Sequence, residues 1–190
     1  MMEKILILEN YRNRYLCSSC QTMFETRKYH AAKYKCRGCH PDFENSQERY
    51  YIDLLKELGF DAIMQQYSDD RLKGVNGGSH RLRYDMAVFH KITDTEPLFI
   101  IEKLSQNDFS NSNQDGIRDN YINKVKFARD TLKIPLIECG SFVNNPKSAL
   151  IEQIEKYSEI QKINNIQQRY DAICENFYDS IINRVGNAYF

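Results

Sequence analysis

Arg81-Leu82-Arg83-Tyr84-Asp85-Met86-Ala87-Val88-Phe89, followed after a short interval by Leu98-Phe99-Ile100-Ile101-Glu102-Lys103-Leu104, decides the fold of this 190-residue chain. Both stretches are short apolar runs rich in β-branched and aromatic residues, with little of the 3.6-residue recurrence of an amphipathic helix, and both read as strands. Residues 60–67 form a third such run, and Ile134-Pro135-Leu136-Ile137-Glu138-Cys139 a fourth, buried one. A helix start at Asn45-Ser46-Gln47-Glu48 leads into Tyr50, Leu54, Leu55 and Leu58 at helical spacing, which Gly59 stops. After a polar loop over residues 105–116, a second helix is predicted over residues 117–132. The order is helix, three strands, helix, strand, which predicts an α/β core over residues 43–145.

Within those strands two positions break the apolar pattern. Asp85 and Glu102 sit where a carboxylate is costly unless it is paired or binds a cation. Two acids on consecutive strands can meet across a hairpin and hold one hard cation through oxygen ligands. Mg²⁺ or Mn²⁺ held this way polarises a phosphate and acidifies a bound water, the requirement for phosphodiester hydrolysis. The competing reading is a strand-end acid that pairs with Arg or Lys.

Ahead of the α/β region stand Cys17-x-x-Cys20 and, fifteen residues later, Cys36-x-x-Cys39. Four thiolates at this spacing let two tight turns close a tetrahedron around Zn²⁺, so residues 1–42 read as a zinc ribbon whose folding free energy the metal supplies. Paired disulfides are the alternative. They need an oxidising compartment, and residues 1–10 have one lysine, a short apolar run and no small-residue cleavage site. His30 and His40 are dispensable beside four cysteines. Cys139 and Cys174 lie apart from the cluster and read as buried small hydrophobes.

The formal net charge of zero conceals an asymmetry. Residues 1–42 carry eight Lys and Arg against four acids, and residues 43–145 carry thirteen against sixteen, so the ribbon is the basic part and suits a polyanion partner. From Arg71 to Arg83 there are four cationic side chains, Arg71, Lys73, Arg81 and Arg83, with three glycines and no acid. Cations on a flexible backbone fit close approach to DNA phosphates; a mobile hairpin loop would look the same. After Pro146 no Gly or Pro occurs until past Val185, and Leu150, Ile154, Tyr157, Ile163, Ile166, Tyr170, Ile173, Phe177 and Ile181 fall mostly at steps of three or four. Residues 146–190 therefore form one long amphipathic helix, or a hairpin of two with a weak spot at Asn164-Asn165. The stripe packs on the domain's own sheet or forms the seam of a homodimer. No run approaches the roughly 20 apolar residues of a membrane span, so a soluble, cytoplasmic protein is expected.

Taken together, a helix with Glu48, a strand with Asp85, a strand with Glu102, then Asp119 and Lys124 in a helix before Ile134-Pro135-Leu136-Ile137 resembles the PD-(D/E)xK nuclease superfamily. The similarity is to the branch of very-short-patch repair, phage-borne and homing endonucleases, in which a zinc knuckle can precede the catalytic core. It covers roughly residues 43–140 and the ribbon. It implies a restriction-endonuclease-like fold, a metal-dependent DNA endonuclease or nickase, and catalytic roles for Glu48, Asp85 and Glu102 at a Mg²⁺ or Mn²⁺ site. The chain departs from the pattern along the second strand. Leu104 stands where the branch has a second polar ligand, and Asp108 where it has a histidine. A lysine from the following helix, Lys124 or Lys126, can take over in this superfamily; otherwise the site has decayed into a DNA-binding or protein-interaction module.

Overall fold

The computed structural model describes residues 14–17, 22–25, 46–74, 82–104, 117–140 and 145–186. The chain forms two compact units, one from residues 1–67 with 84–98 and one from residues 68–83 with 99–190. This division does not follow the boundaries at 42 and 145 that composition marks. Cys20, Cys36 and Cys39, as well as Arg81 and Asp108, lie outside the described residues.

Among the described residues the first unit carries four strands and one helix: β1 (Arg14–Leu16), β2 (Met23–Glu25), α1 (Ser46–Glu57), β3 (Ile63–Tyr67) and β4 (Tyr84–Val88). β1 and β2 form an antiparallel hairpin with Leu16 opposite Met23, and the Cys17 N–H donates to the Thr22 carbonyl at 3.0 Å to close it. β2 then runs parallel to β3, with Met23 beside Met64 and Phe24 beside Gln65. The cysteine-bearing hairpin is thus continuous with the sheet, and the boundary at residue 42 is crossed by backbone hydrogen bonds. β3 and β4 are antiparallel, and the Tyr67 and Tyr84 rings, directly opposite in register, stack at 6.1 Å.

α1 buries Glu48, Tyr51, Ile52, Leu54 and Leu55. Positions 48, 51, 52 and 55 follow helical spacing and define one face, so the acid shares that face with apolar side chains. The helix stops as its sequence dictates. Gly59 takes φ 88°, its N–H donates to Lys56, and the Phe60 N–H reaches back to Leu55, the paired bonds that satisfy the last carbonyls of a glycine-terminated helix.

In the second unit, β5 (Phe99–Leu104) and β6 (Leu136–Gly140) are parallel, joined through α2 (Ile117–Lys126) and a π-helical continuation, Phe127–Leu132. Ile100 pairs with Leu136 and Glu102 with Glu138. Gly140 is required where it stands: at φ 145°, a Cβ there would lie 1.9 Å from the Leu104 carbonyl oxygen.

The C-terminal segment is neither one helix nor a plain pair. It comprises α3 (Pro146–Gln161), α4 (Ile166–Ile173), a π-helical stretch Cys174–Tyr178 and α5 (Asp179–Val185). The break falls at the expected Asn164-Asn165, because the Asn165 side chain caps α4 by accepting from the Gln168 N–H at 3.0 Å. Arg169 reinforces the turn by donating from Nε and Nη2 to the Ile163 carbonyl. Most of the apolar stripe is buried within the chain, with Ile163 and Tyr170 half-exposed. Tyr157 meets Phe99 of β5 and Phe177 edge-on, and the Tyr178 hydroxyl donates to the Ile134 carbonyl. Ile166 departs from the expected stripe: it is the first residue of α4 and stays 81% exposed. Among the described residues no helix is long and apolar enough to cross a membrane.

Candidate functional site

Glu102 and Lys124, expected from the sequence to share a site, are brought together. Glu102 lies near the end of β5 and is buried; α2 carries Lys124 over it, and the ammonium donates to Glu102 Oε1 at 2.7 Å. The side chains are 4% and 17% exposed respectively, so the pair is held in a poorly solvated place. Lys103, the adjacent lysine, occupies the opposite strand face, in register with Cys139 rather than Glu138. The contact therefore comes from the helix lysine.

One strand over and one turn earlier in α2, a second contact repeats the first. In the parallel register Glu138 sits beside Glu102, and Tyr121, one turn ahead of Lys124 in α2, donates its hydroxyl to Glu138 Oε1. Arg184 of α5 donates to the same oxygen. Burial, then the charge of Glu138, pushes the Tyr121 pKa far above the ordinary phenol range, so the side chain remains a neutral donor. Two strand carboxylates side by side are thus each answered by a residue of α2. Glu138 was overlooked in reading the sequence, although it carries the signal that marked Glu102, an acid inside an apolar strand.

Asp85 and Glu48 belong to the first unit. Asp85 is half-buried in β4, where Gln65 beside Met86 and Tyr67 beside Tyr84 bracket the register position it shares with Gln66. Gln66 has φ 53°, a left-handed backbone in mid-strand that costs a non-glycine residue on the order of 1 kcal/mol, and the regular pairing skips this position. Glu48 is 2% exposed on the inner face of α1. Its expected alternative, a capping box with Asn45, falls outside the described residues. Asp119 and Lys126 are half-exposed on α2.

Arg71 has an intramolecular role that the window of residues 71–83 concealed. Asp69, only 7% exposed at its side chain, accepts from the Arg71 backbone N–H at 2.9 Å, from Nε at 2.9 Å and from Nη2 at 2.8 Å. The guanidinium also lies over the Phe127 ring at 5.4 Å. The acid that anchors it stands two residues before the cationic run. Lys73 is exposed and Arg83 half-buried.

Cys17 is fully buried at the end of β1, and among the described residues no disulfide joins Cys17, Cys139 or Cys174. Cys139 is buried as expected, whereas Cys174 is half-exposed, with burial still raising its thiol pKa. Among the described residues no group of three or more His, Cys, Asp and Glu side chains gathers to hold a metal. Carboxylate oxygens such as those of Glu102 are the donors a hard cation takes, and Lys124 places its ammonium on one of them. Comparison with family models, with curated proteins and with solved structures returns no match.

Proposed function

We propose that the protein is a metal-dependent DNA endonuclease or nickase built on a PD-(D/E)xK-like α/β core. The observation that carries this reading is the contact between Glu102 and Lys124. Leu104 is buried and occupies the strand position where the pattern has a polar ligand, so the charged partner must come from elsewhere. A lysine on the following helix, 2.7 Å from the strand acid, supplies it. In this reading Glu102 contributes a carboxylate to a Mg²⁺ or Mn²⁺ site, and that ion, when bound, polarises the scissile phosphate and acidifies water. Lys124 holds its ammonium where negative charge grows on the phosphate, a task suited to a preorganised cation in a poorly solvated place. Its 17% exposure leaves a route for substrate oxygen to reach it. The resemblance assigns Asp85 and Glu48 the remaining acidic roles, and Cys17, Cys20, Cys36 and Cys39 a structural Zn²⁺ in a module that holds DNA.

The second reading is a DNA-binding module of the same fold that has lost cleavage. Leu104 favours it, because a buried leucine cannot coordinate an ion or orient water. One assay separates the two. Supercoiled plasmid is incubated with the zinc-loaded protein with and without Mg²⁺ or Mn²⁺, beside Asp85→Ala, Glu102→Ala and Lys124→Ala. Metal-dependent nicking abolished by each substitution, with DNA retention largely preserved, is expected. Wild-type protein that retains DNA but leaves it uncut with either ion would overturn the enzyme reading.

A further inference from the structure

A cleft of about 260 Å³ opens in the second unit beside the C-terminal helices. Leu136, Phe177 and Ile181 give it an apolar floor, and Glu138, Gln153, Asn176 and Ser180 supply its polar lining. Their other hydrogen bonds determine what these four can offer a visitor. Tyr121 and Arg184 both land on Glu138 Oε1, so among the described residues Oε2 has no donor. The amide nitrogens of Gln153 and Asn176 each give one N–H to a carbonyl one turn back in their own helices, Ala149 at 3.3 Å and Ala172 at 2.8 Å. The second N–H and the side-chain carbonyl oxygen of each remain. The Ser180 hydroxyl makes no hydrogen bond among the described residues and can accept as well. The polar lining is therefore one carboxylate oxygen among neutral amide and hydroxyl groups.

We propose that this cleft binds a small organic cation, a primary ammonium or guanidinium head on a short aliphatic stem. Such a head brings a positive charge and several N–H donors for that carboxylate oxygen and for the amide and hydroxyl oxygens beside it. The stem covers the floor of Leu136, Phe177 and Ile181. Size agrees, since the volume lies just below the ~300 Å³ at which pockets for drug-sized molecules begin. Arg184 and Tyr121 turn Glu138 by holding one oxygen, which leaves the other to the ligand. A divalent metal ion suits the place less well: it favours several carboxylates, and here one carboxylate already faces an arginine.

Calorimetric titration of the full chain with agmatine and with n-butylamine tests the proposal, with n-butanol as the uncharged probe and Ca²⁺ as the metal probe. One saturable site with Kd of about 1 mM or tighter is expected for either amine, and none for n-butanol or Ca²⁺. Ser180→Leu, at an exposed helical position, should fill the cleft and weaken binding about tenfold or more while leaving thermal unfolding unchanged. Glu138→Gln, which keeps an oxygen for Tyr121 and Arg184, should weaken it about as much. Absence of saturable binding by both amines, equal binding of n-butanol, tighter binding of Ca²⁺, or unaltered affinity in Ser180→Leu would each overturn the assignment.

Discussion

Lys124→Met removes the ammonium from Glu102 while keeping most of the side-chain volume, and its cost can be worked from the geometry. Glu102 is 4% exposed at its side chain and its ion pair is 2.7 Å long. A buried charge deprived of its partner costs about 3 to 5 kcal/mol, and the 17% exposure of Lys124 admits some water to the gap, so a loss of about 3 kcal/mol is expected. The reverse substitution, Glu102→Gln, should be milder, about 1 kcal/mol. The abandoned lysine can swing its charged end outward through the opening it already has, which a carboxylate on a strand cannot do. The double variant leaves no stranded charge. It should recover most of the summed loss, giving a coupling of about 3 kcal/mol. Equilibrium urea unfolding of the four proteins, with slopes compared to ensure the same transition, reads these values. A Lys124→Met loss below about 0.5 kcal/mol, or additive single losses, would mean that the pair is solvated and that Lys124 is a surface residue, as exposed ion pairs are.

Two further substitutions probe the same unit. Gly140→Ala should destabilise it by about 4 kcal/mol, because its Cβ would meet the Leu104 carbonyl oxygen at 1.9 Å and the residue's φ is 145°; loss of β5–β6 amide protection in hydrogen exchange should accompany it, and near-wild-type stability would refute the close approach. Tyr157, pushed up to about 12 by burial, is held neutral by the fold. A group whose folded pKa exceeds its unfolded value of about 10 gives its stability in full below that pH and loses it as pH climbs toward the folded pKa. Wild type should therefore lose about 2 kcal/mol more than Tyr157→Phe between roughly pH 10 and 12, read from urea midpoints across that range, and parallel curves would refute it.

The element order of the α/β region was legible from the sequence because each segment announces itself locally. Gly59 had to take a left-handed backbone at the end of α1, and Asn165 had to offer a capping oxygen at the break in the C-terminal segment. The strands appeared as apolar runs lacking helical recurrence, and Ile100 pairs with Leu136 in the run identified as the last strand. The π-helical stretches were not legible. A single extra residue per turn leaves the apolar spacing of residues 127–132 nearly unchanged, and only packing reveals it. Ile166 shows the opposite error, since periodicity cannot tell the first turn of a helix from its middle.

What the sequence determined alone is the chemistry available: acids inside apolar strands at Asp85, Glu102 and Glu138, two cysteine knuckles, and helix lysines downstream. Pairing is a different matter. Lys103 is adjacent to Glu102 in the chain yet faces away, whereas Lys124, twenty-two residues on, donates to it. Arg71 stood among cations in sequence and lies against Asp69 and Phe127 in space. Strand alternation sends neighbours to opposite faces, and helix packing returns distant residues to one face. Residue type therefore governs what charge a segment carries, and the tertiary structure alone decides which charge answers it.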